Sequence, residues 1–263
     1  MPEIQIGQEG AVRTLTLKRP AALNACTSTM LVELREALAA AAADEPTRCV
    51  LITGAGRAFC AGQDLSDPLV APDESAPPKN LGHMLEHFYN PMLLALRAMP
   101  VPVIAAVNGV AAGSGANLAL ACDMVLAAES ASFIQAFTRI GLAPDSGGTW
   151  LLPRMVGRAR AMQLALLGDK LPAAEAAAMG LIARCVPDAE LGSQAMAMAQ
   201  RLAQMPSRAL VATRQAMDMS LDLSFEQALA AEAALQSRLG YAADYSEGVT
   251  AFKAKRAARF TDR

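Results

Sequence analysis

Two short apolar runs constrain the fold of this chain more than any other feature. Residues 49–53 (CVLIT) stop at Gly54, and residues 101–107 (VPVIAAV) form a second run of similar length. Runs this short and this apolar are typical of strands buried on both faces of a sheet. Helical patterns cover residues 28–43 and 81–99, one before each run. The alternation predicts an α/β fold with a buried, largely parallel sheet and helices packed around it.

The rest of the chain first continues this alternation and then departs from it. Further strands are predicted at residues 12–17, 124–127 and 131–134, and a further helix at about residues 113–121. Residues 66–80 hold four prolines and are predicted to form a long loop. After Gly148, alanine-rich helical segments dominate, and residues 224–227 and 244–247 both fit a capping box. We therefore expect an α/β core over residues 1–200 and a helical region over residues 201–263.

The composition excludes several classes of function. The net charge is −2, from 23 basic and 25 acidic side chains, and no segment concentrates lysine and arginine, so nucleic acid is not an expected partner. Polar residues such as Asn108 interrupt the most apolar stretch, residues 101–122, which leaves no clean run of about 18 residues for a membrane span. Residues 1–10 lack the pattern of a signal peptide. Five scattered cysteines fit reduced core thiols, so we expect a cytoplasmic protein without membrane contact.

Two motifs suggest a metal or a dinucleotide but do not complete the pattern. His83, Glu86 and His87 spell H-x-x-E-H, yet no third ligand follows, so we interpret them as a solvated helix face and expect no metal. Gly54 and Gly56 follow a predicted strand, but Phe59 occupies the place of the third glycine of a dinucleotide-binding turn. We expect a simple turn there.

Two loops of small residues carry more promising chemistry. Residues 59–65 (FCAGQDL) and 111–115 (AAGSG) each follow a predicted strand, where backbone N–H groups can converge on one oxygen. Such a pair of donors stabilises an enolate that forms when the carbon next to a carbonyl loses a proton. The alternative is that the glycines only permit tight packing.

A carboxylate in a third loop could move such a proton. Asp145 stands in the segment GLAPDSGG, just before a predicted helix. It could be a proton carrier, or it could cap that helix, although Ser146 is a better placed cap. Asp64 fits a turn residue that bonds its own backbone.

Four segments together resemble the crotonase superfamily, the enoyl-CoA hydratases and isomerases. These segments are LKRPAALNA at residues 17–25, AFCAGQDL at 58–65, AVNGVAAGSG at 106–115, and EGVTAF at 247–252 followed by Lys255. The resemblance implies a spiral of ββα turns with a C-terminal helical trimerisation region. It also implies assembly as a homotrimer or a homohexamer made of two trimers, and an acyl-CoA thioester as the bound small molecule.

The same resemblance assigns roles to individual residues. The N–H groups of Ala61 and Ser114, beside Gly113, would form the oxyanion hole. Coenzyme A would lie along Ala22, Leu23 and the loop that contains Ala61, Gly62, Gln63 and Asp64. Phe252 and Lys255 would help to cover its nucleotide end. Coenzyme A enters as part of the substrate, and no other cofactor is expected.

Departures from the family pattern indicate the reaction. Hydratases of this family use two glutamates, and here those positions hold Asn117 and Phe137, neither of which relays a proton. Asp145 aligns with an aspartate that family isomerases use. The segment of residues 141–161 most resembles the isomerases of bacterial phenylacetate catabolism, which turn epoxidised phenylacetyl-CoA into an oxepin. A general Δ3-Δ2 enoyl-CoA isomerase or a hydratase of fatty-acid β-oxidation stays open, as does a non-catalytic acyl-CoA-binding or RNA-binding relative.

Overall fold

The computed structural model describes residues 1–73, 75 and 77–263. The strands of its larger sheet are β1 (Ile4–Glu9), β2 (Val12–Leu17), β3 (Cys49–Gly54), β5 (Val103–Val107), β7 (Met124–Ala128) and β10 (Arg184–Val186). The strands of its smaller sheet are β4 (Ala58–Cys60), β6 (Val110–Ala112), β8 (Ser132–Ile134) and β9 (Leu171–Pro172). The larger sheet has the order β1-β2-β3-β5-β7-β10, and the smaller has the order β4-β6-β8-β9.

The larger sheet is parallel apart from its first pair of strands. Strand β1 pairs antiparallel with β2, and all later neighbours pair in parallel. Every residue of β5 is buried, as are the first four residues of β3. Burial on both faces explains why these strands are almost purely apolar in sequence. The predicted parallel sheet is confirmed.

The two sheets are connected by a repeated unit. Each of β3, β5 and β7 is followed within five residues by β4, β6 and β8, which lie side by side in parallel. A helical segment follows each pair of strands. This succession is a spiral of ββα turns, as the resemblance implied.

Helices surround the sheets and then continue beyond them. Their bounds are α1 (Ser28–Ala43), α2 (Leu81–Met84), α3 (Asn90–Arg97), α4 (Ser114–Leu120), α5 (Gly148–Leu167), α6 (Ala173–Ala178), α7 (Leu191–Ala203), α8 (Ser207–Ser220), α9 (Phe225–Gly240) and α10 (Ala243–Lys253). The helix predicted at residues 81–99 is interrupted, because a π-helical turn at Leu85–Tyr89 separates α2 from α3. The boundary at residue 200 stays a prediction; α7 passes through it. Among the described residues, no helix has the length and apolarity needed to cross a membrane.

The C-terminal helices confirm one capping box and correct the other. Ser224 accepts a hydrogen bond from the backbone of Gln227, and the Gln227 side chain accepts one from the Ser224 backbone, which completes the box at the start of α9. The box at residue 244 is wrong, because α10 begins at Ala243 and Asp244 lies inside its first turn. The buried Asp244 carboxylate accepts instead from the N–H groups of Thr261, at 2.7 Å, and Asp262, at 3.2 Å. It therefore ties the C-terminal tail to α10.

Candidate active site

The two loops of small residues meet at the carboxyl ends of two neighbouring strands of the smaller sheet. Strands β4 and β6 are parallel neighbours, so the segments that follow them leave the sheet on the same side. Gly62 has a φ of +96°, and a Cβ atom there would lie 2.8 Å from the carbonyl oxygen of Ala112. Only glycine tolerates both the positive φ and this close approach. The contact brings the loop after β4 against the end of β6.

The glycines of the second loop are required for two different reasons, packing at Gly115 and backbone conformation at Gly113. A Cβ atom on Gly115 would lie 2.4 Å from the Cys60 carbonyl oxygen, which makes this glycine a packing residue. Gly113 instead has a φ of 51°, and a Cβ atom there would lie 3.6 Å from the Phe137 ring, an ordinary contact. At Gly113 the backbone conformation, and not the space, requires glycine.

The amide of Ala61 is not available to a substrate. Its N–H donates to the carbonyl oxygen of Leu23 at 3.0 Å, so the prediction that Ala61 supplies a donor to the oxyanion hole is wrong for this structure. Two residues further on, the Gln63 N–H donates to no acceptor among the described residues. An isolated parallel bridge to Cys26 holds Gln63 in place. The available amide of this loop is therefore that of Gln63 and not that of Ala61.

Ser114 holds the second candidate amide, and its role in the oxyanion hole stays a prediction. It is the first residue of α4, so its N–H lies among the helix-terminal donors that have no acceptor within the helix. Ser114 itself is buried. Its side chain and that of Gln63 bind the same hydroxyl group, that of Tyr89, each at 2.9 Å. The two residues with available amides are therefore close neighbours.

Asp145 lies in the loop before α5 and does not cap that helix. The N-cap is Gly147, with a φ of 81°, and no side chain caps this end, so capping by Asp145 or Ser146 is ruled out. The Ser146 hydroxyl instead donates to Asp145 Oδ1 at 2.9 Å. Burial raises the pKa of Asp145 above its ordinary value, and the Ser146 hydrogen bond opposes this rise. A carboxylate with a raised pKa is suited to accept and return a proton.

The Asn117 side chain supports the backbone of Asp145. Its Nδ2 donates to the backbone carbonyl of Asp145 at 2.8 Å, and its Oδ1 accepts from Gln135 Nε2 at 2.9 Å. Asn117 is fully buried, and a Cβ atom on Gly148 would lie only 2.4 Å from its Nδ2. This amide is therefore a structural support and not a proton carrier. Phe137 is also buried, with its ring against Gly113.

An ion pair joins the loop that contains Asp64 to the segment just before Leu23. Asp64 accepts from Ser66 at Oδ1, as expected for a turn residue, and its Oδ2 pairs with Arg19 at 2.8 Å. The Ser66 hydrogen bonds and the Arg19 guanidinium hold the pKa of Asp64 below its ordinary value. Ala22 ends the short 3-10 turn just before Leu23, whose carbonyl binds the Ala61 N–H. The structure therefore places Ala22 and Leu23 next to residues 61–64.

Phe252 and Lys255 lie apart from this cluster within the chain. Phe252 is 85% exposed and lines a groove of about 750 Å³ with Tyr245 and Phe260. No hydrogen bond or ion pair joins Phe252 or Lys255 to the loops in the part of the chain that the structure describes. Their proposed contact with coenzyme A stays a prediction.

Sequence reasoning missed Tyr89. This residue ends the π-helical turn, and its side chain is buried with the hydroxyl group on Gln63 and Ser114. Burial raises the pKa of Tyr89 well above its ordinary value, so the phenol stays protonated at neutral pH. Within residues 81–99 a tyrosine fits an ordinary apolar helix position, so the sequence held no signal for this contact.

The remaining candidates form no second site. The His83 and His87 rings stack with centroids 4.0 Å apart, and the described residues include no group of three or more potential metal ligands. All five cysteines are free thiols, and four of them are buried. Cys26 and Cys60 place their sulfur atoms 3.5 Å apart beside the first loop.

The ββα spiral and its two loops define a crotonase-type α/β protein. The profile of the family described as "Enoyl-CoA hydratase/isomerase" matches residues 7–263. The chain is 49% identical over 253 residues to a 1,2-epoxyphenylacetyl-CoA isomerase of Escherichia coli (strain K12), with 96% of each chain covered. It is 50% identical over 249 residues to a protein of Rhodobacter capsulatus named "Probable enoyl-CoA hydratase", with 95% of this chain and 94% of the relative covered.

A solved structure agrees with these sequence relatives. The enoyl-CoA hydratase of Bacillus anthracis superposes with a TM-score of 0.92 at 32% identity, and the match covers 99% of this chain and 100% of that one. The chain therefore belongs to the enoyl-CoA hydratase/isomerase family.

Proposed function

We propose that this protein converts 2-(1,2-epoxy-1,2-dihydrophenyl)acetyl-CoA into its oxepin-CoA isomer, a step of phenylacetate catabolism. The observation that supports this proposal most is made at Asp145. Burial raises the pKa of its carboxyl group, and the Asn117 side chain donates a hydrogen bond to its backbone carbonyl. The positions of the two hydratase glutamates hold Asn117 and Phe137, which carry no titratable proton. The relative at 49% identity with the corresponding isomerase name agrees.

The proposed mechanism begins at the thioester carbonyl. The N–H groups of Gln63 and Ser114 would bind its oxygen and stabilise the negative charge that forms there. The α-carbon then becomes acidic enough for Asp145 to remove its proton. The C–C bond that the epoxide shares with the six-membered ring opens while both C–O bonds are kept, which expands the ring to the seven-membered oxepin. The protonated Asp145 returns its proton further along the conjugated system, so no atom is gained or lost and the product has the mass of the substrate. One carboxylate suffices, because the acid it becomes is the acid that the next step needs.

The surroundings of Asp145 favour isomerisation over hydration. The Asn117 amide is fully engaged with Asp145 and Gln135, and the Phe137 ring is buried against Gly113. Neither group can activate a water molecule, and an apolar wall disfavours the water that would compete for the enolate. This argument ranks the hydratase below the isomerase, although the Rhodobacter relative carries a hydratase name.

Coenzyme A and a second copy of the chain complete the proposal. Coenzyme A would lie along Ala22, Leu23 and the loop of residues 61–64, with Phe252 and Lys255 covering its nucleotide end, and no further cofactor is required. We expect a cytoplasmic homotrimer or a hexamer of two trimers. Its assembly is supported by large apolar side chains that stay exposed in and between α8 and α9, namely Met217, Leu221 and Phe225. Sedimentation analysis at several protein concentrations measures this assembly.

The deciding experiment offers three thioesters in heavy-oxygen water. Epoxidised phenylacetyl-CoA, a 3-enoyl-CoA and crotonyl-CoA are supplied separately, and the products are followed by mass spectrometry and ultraviolet absorbance. Isomers of unchanged mass are expected from the first substrate. Preferred turnover of the 3-enoyl-CoA would favour a general Δ3-Δ2 isomerase, which needs the same two amides and the same base. Rapid incorporation of heavy oxygen into crotonyl-CoA would overturn the isomerase assignment.

A variant of Asp145 tests the mechanism. Asp145→Asn should abolish turnover and preserve acyl-CoA binding, because the amide keeps the shape of the carboxylate but cannot accept the proton. Asp169→Asn is the matched control, since its side chain is 71% exposed and pairs only with Arg139. Saturable binding without turnover of any of the three thioesters by the unchanged protein would favour a non-catalytic relative.

A further inference from the structure

Tyr89 joins the side chains of the two residues whose amides are available at the site. Its hydroxyl group lies 2.9 Å from Gln63 Oε1 and 2.9 Å from Ser114 Oγ. Gln63 belongs to the loop after β4, and Ser114 follows β6, so the tyrosine is a link between two separate segments. We propose that Tyr89 is a positioning residue that fixes the spacing of the Gln63 and Ser114 amides. The inference rests on the proposed oxyanion hole.

The directions of the hydrogen bonds in this link are determined. Gln63 Nε2 donates to the backbone carbonyl of Asp64 at 3.0 Å, so Gln63 Oε1 must be the atom that faces Tyr89. An amide oxygen only accepts, so the O–H group of Tyr89 donates its single hydrogen bond to Gln63 Oε1. The Tyr89 oxygen must then accept from the Ser114 hydroxyl group. The link therefore runs in one direction, from Ser114 through Tyr89 to Gln63 and Asp64.

This direction leaves the substrate oxygen to the backbone. Because the Ser114 hydroxyl proton is committed to Tyr89, the side chain does not compete with the Ser114 N–H for a thioester oxygen. Burial raises the pKa of Tyr89 well above its ordinary value, so the link keeps its proton over the physiological range. Tyr89 and Ser114 are buried and Gln63 is partly buried, and each side chain has a hydrogen-bond partner, which is the condition under which such a network rigidifies a site.

Tyr89 belongs to neither of the two loops that its hydroxyl group joins. It ends the π-helical turn Leu85–Tyr89, directly before α3. Tyr89 itself is 3% exposed, and α3 packs against α1, which belongs to the main core. π-helical turns are frequent at functional sites, where an extra residue re-aims a side chain. The helical layer therefore supplies a fixed point against which both glycine-containing loops are held.

Loss of this link should affect the transition state more than substrate binding. In Tyr89→Phe the ring keeps its packing, but Gln63 and Ser114 lose their common partner. A small misplacement of preorganised donors costs rate, so kcat is expected to fall about 10-fold to 100-fold. KM is expected to change less than about threefold, because the buried Tyr89 is not among the residues proposed to bind coenzyme A. Tyr241→Phe is the matched control, since that tyrosine is 91% exposed.

A spectroscopic measurement separates this inference from the proposed reaction. Phenylacetyl-CoA carrying ¹³C at its thioester carbonyl is bound to each variant, and infrared difference spectra report how far the carbonyl stretch moves to lower frequency. We expect a downshift in the unchanged protein and in Tyr241→Phe, and a smaller downshift in Tyr89→Phe. This readout needs no turnover, so it stands even if the proposed substrate is wrong. An unchanged band and an unchanged kcat in Tyr89→Phe would overturn the inference and leave the isomerase assignment intact.

A second variant covers the case in which Tyr89→Phe fails to fold. Ser114→Ala keeps the backbone amide but removes the donor to Tyr89, so it should weaken the same infrared shift. If both residues act through one link, the double variant should be no slower than the slower single variant. Additive losses in kcat would show independent roles and contradict a shared link.

Discussion

Asn117 offers a quantitative test of how this site is supported. The variant Asn117→Ala removes the donor to the Asp145 carbonyl, which still keeps the N–H of Gly148 at 2.8 Å. The lost hydrogen bond from Asn117 contributes about 0.5–1.5 kcal/mol to stability. The variant also leaves Gln135 Nε2 buried without its partner, which costs about 1–3 kcal/mol more. We therefore expect the free energy of unfolding to fall by about 2–4 kcal/mol.

Urea unfolding measures this loss. At a slope of about 3 kcal/mol per M, the expected change lowers the urea midpoint by about 1 M. Trp150, the one tryptophan of the sequence, supplies the fluorescence signal, and the protein concentration is held constant because assembly affects apparent stability. Asn80→Ala is the control, since that exposed side chain only caps α2 and should cost about 1 kcal/mol or less. The kcat of Asn117→Ala should also fall, whereas that of the control should not.

A double variant provides the refuting result. Gln135 already has an unpartnered buried Oε1, so Gln135→Leu removes an unsatisfied atom together with the partner of Asn117. Replacing both partners by apolar groups is less costly than orphaning one of them. The double variant Asn117→Ala with Gln135→Leu should therefore be more stable than the sum of the single losses indicates. Strict additivity, or an unchanged midpoint in Asn117→Ala, would refute the reasoning.

Three further predictions concern the pH profile, the first loop and the C-terminal tail. Ser146→Ala removes the hydrogen bond that lowers the pKa of Asp145, so the acid limb of the kcat profile should move to higher pH, and an unmoved limb would exclude Asp145 as the base. Gly62→Ala places a Cβ atom 2.8 Å from the Ala112 carbonyl oxygen at a φ of +96°, so stability and acyl-CoA affinity should both fall in thermal melts and titrations. Asp244→Ala frees the C-terminal tail, and limited proteolysis followed by mass spectrometry should show faster cleavage there.

The sequence predicted the elements that burial dictates. The apolar runs at residues 49–53 and 101–107 became β3 and β5, because strands with two covered faces must be apolar along their length. The helix predicted at residues 28–43 was correct to the residue, and Thr27 caps it through a hydrogen bond from the Met30 N–H. Local pattern and tertiary burial agree at these elements.

The sequence did not predict which backbone amides are available. Ala61 and Gln63 both belong to a short run of small and polar residues, and no local pattern distinguishes their N–H groups. The distinction comes from Leu23, which lies 38 residues earlier in the chain. Its carbonyl oxygen accepts the hydrogen bond of the Ala61 N–H, so that amide is not available. Tyr89 escaped prediction for a similar reason, since the π-helical turn that directs it to Ser114 interrupts an ordinary helical pattern. Long-range hydrogen bonds decided both cases.

The hydrogen-bond directions at Asn117 bear on the proposed role of Asp145. The amide is useful at this position because it donates a hydrogen bond to the Asp145 carbonyl and accepts one from Gln135. An ionised glutamate could only accept, so it would place negative charge against that carbonyl. Asn117, at the position that the resemblance assigns to a hydratase glutamate, therefore supports the Asp145 backbone and carries no titratable proton.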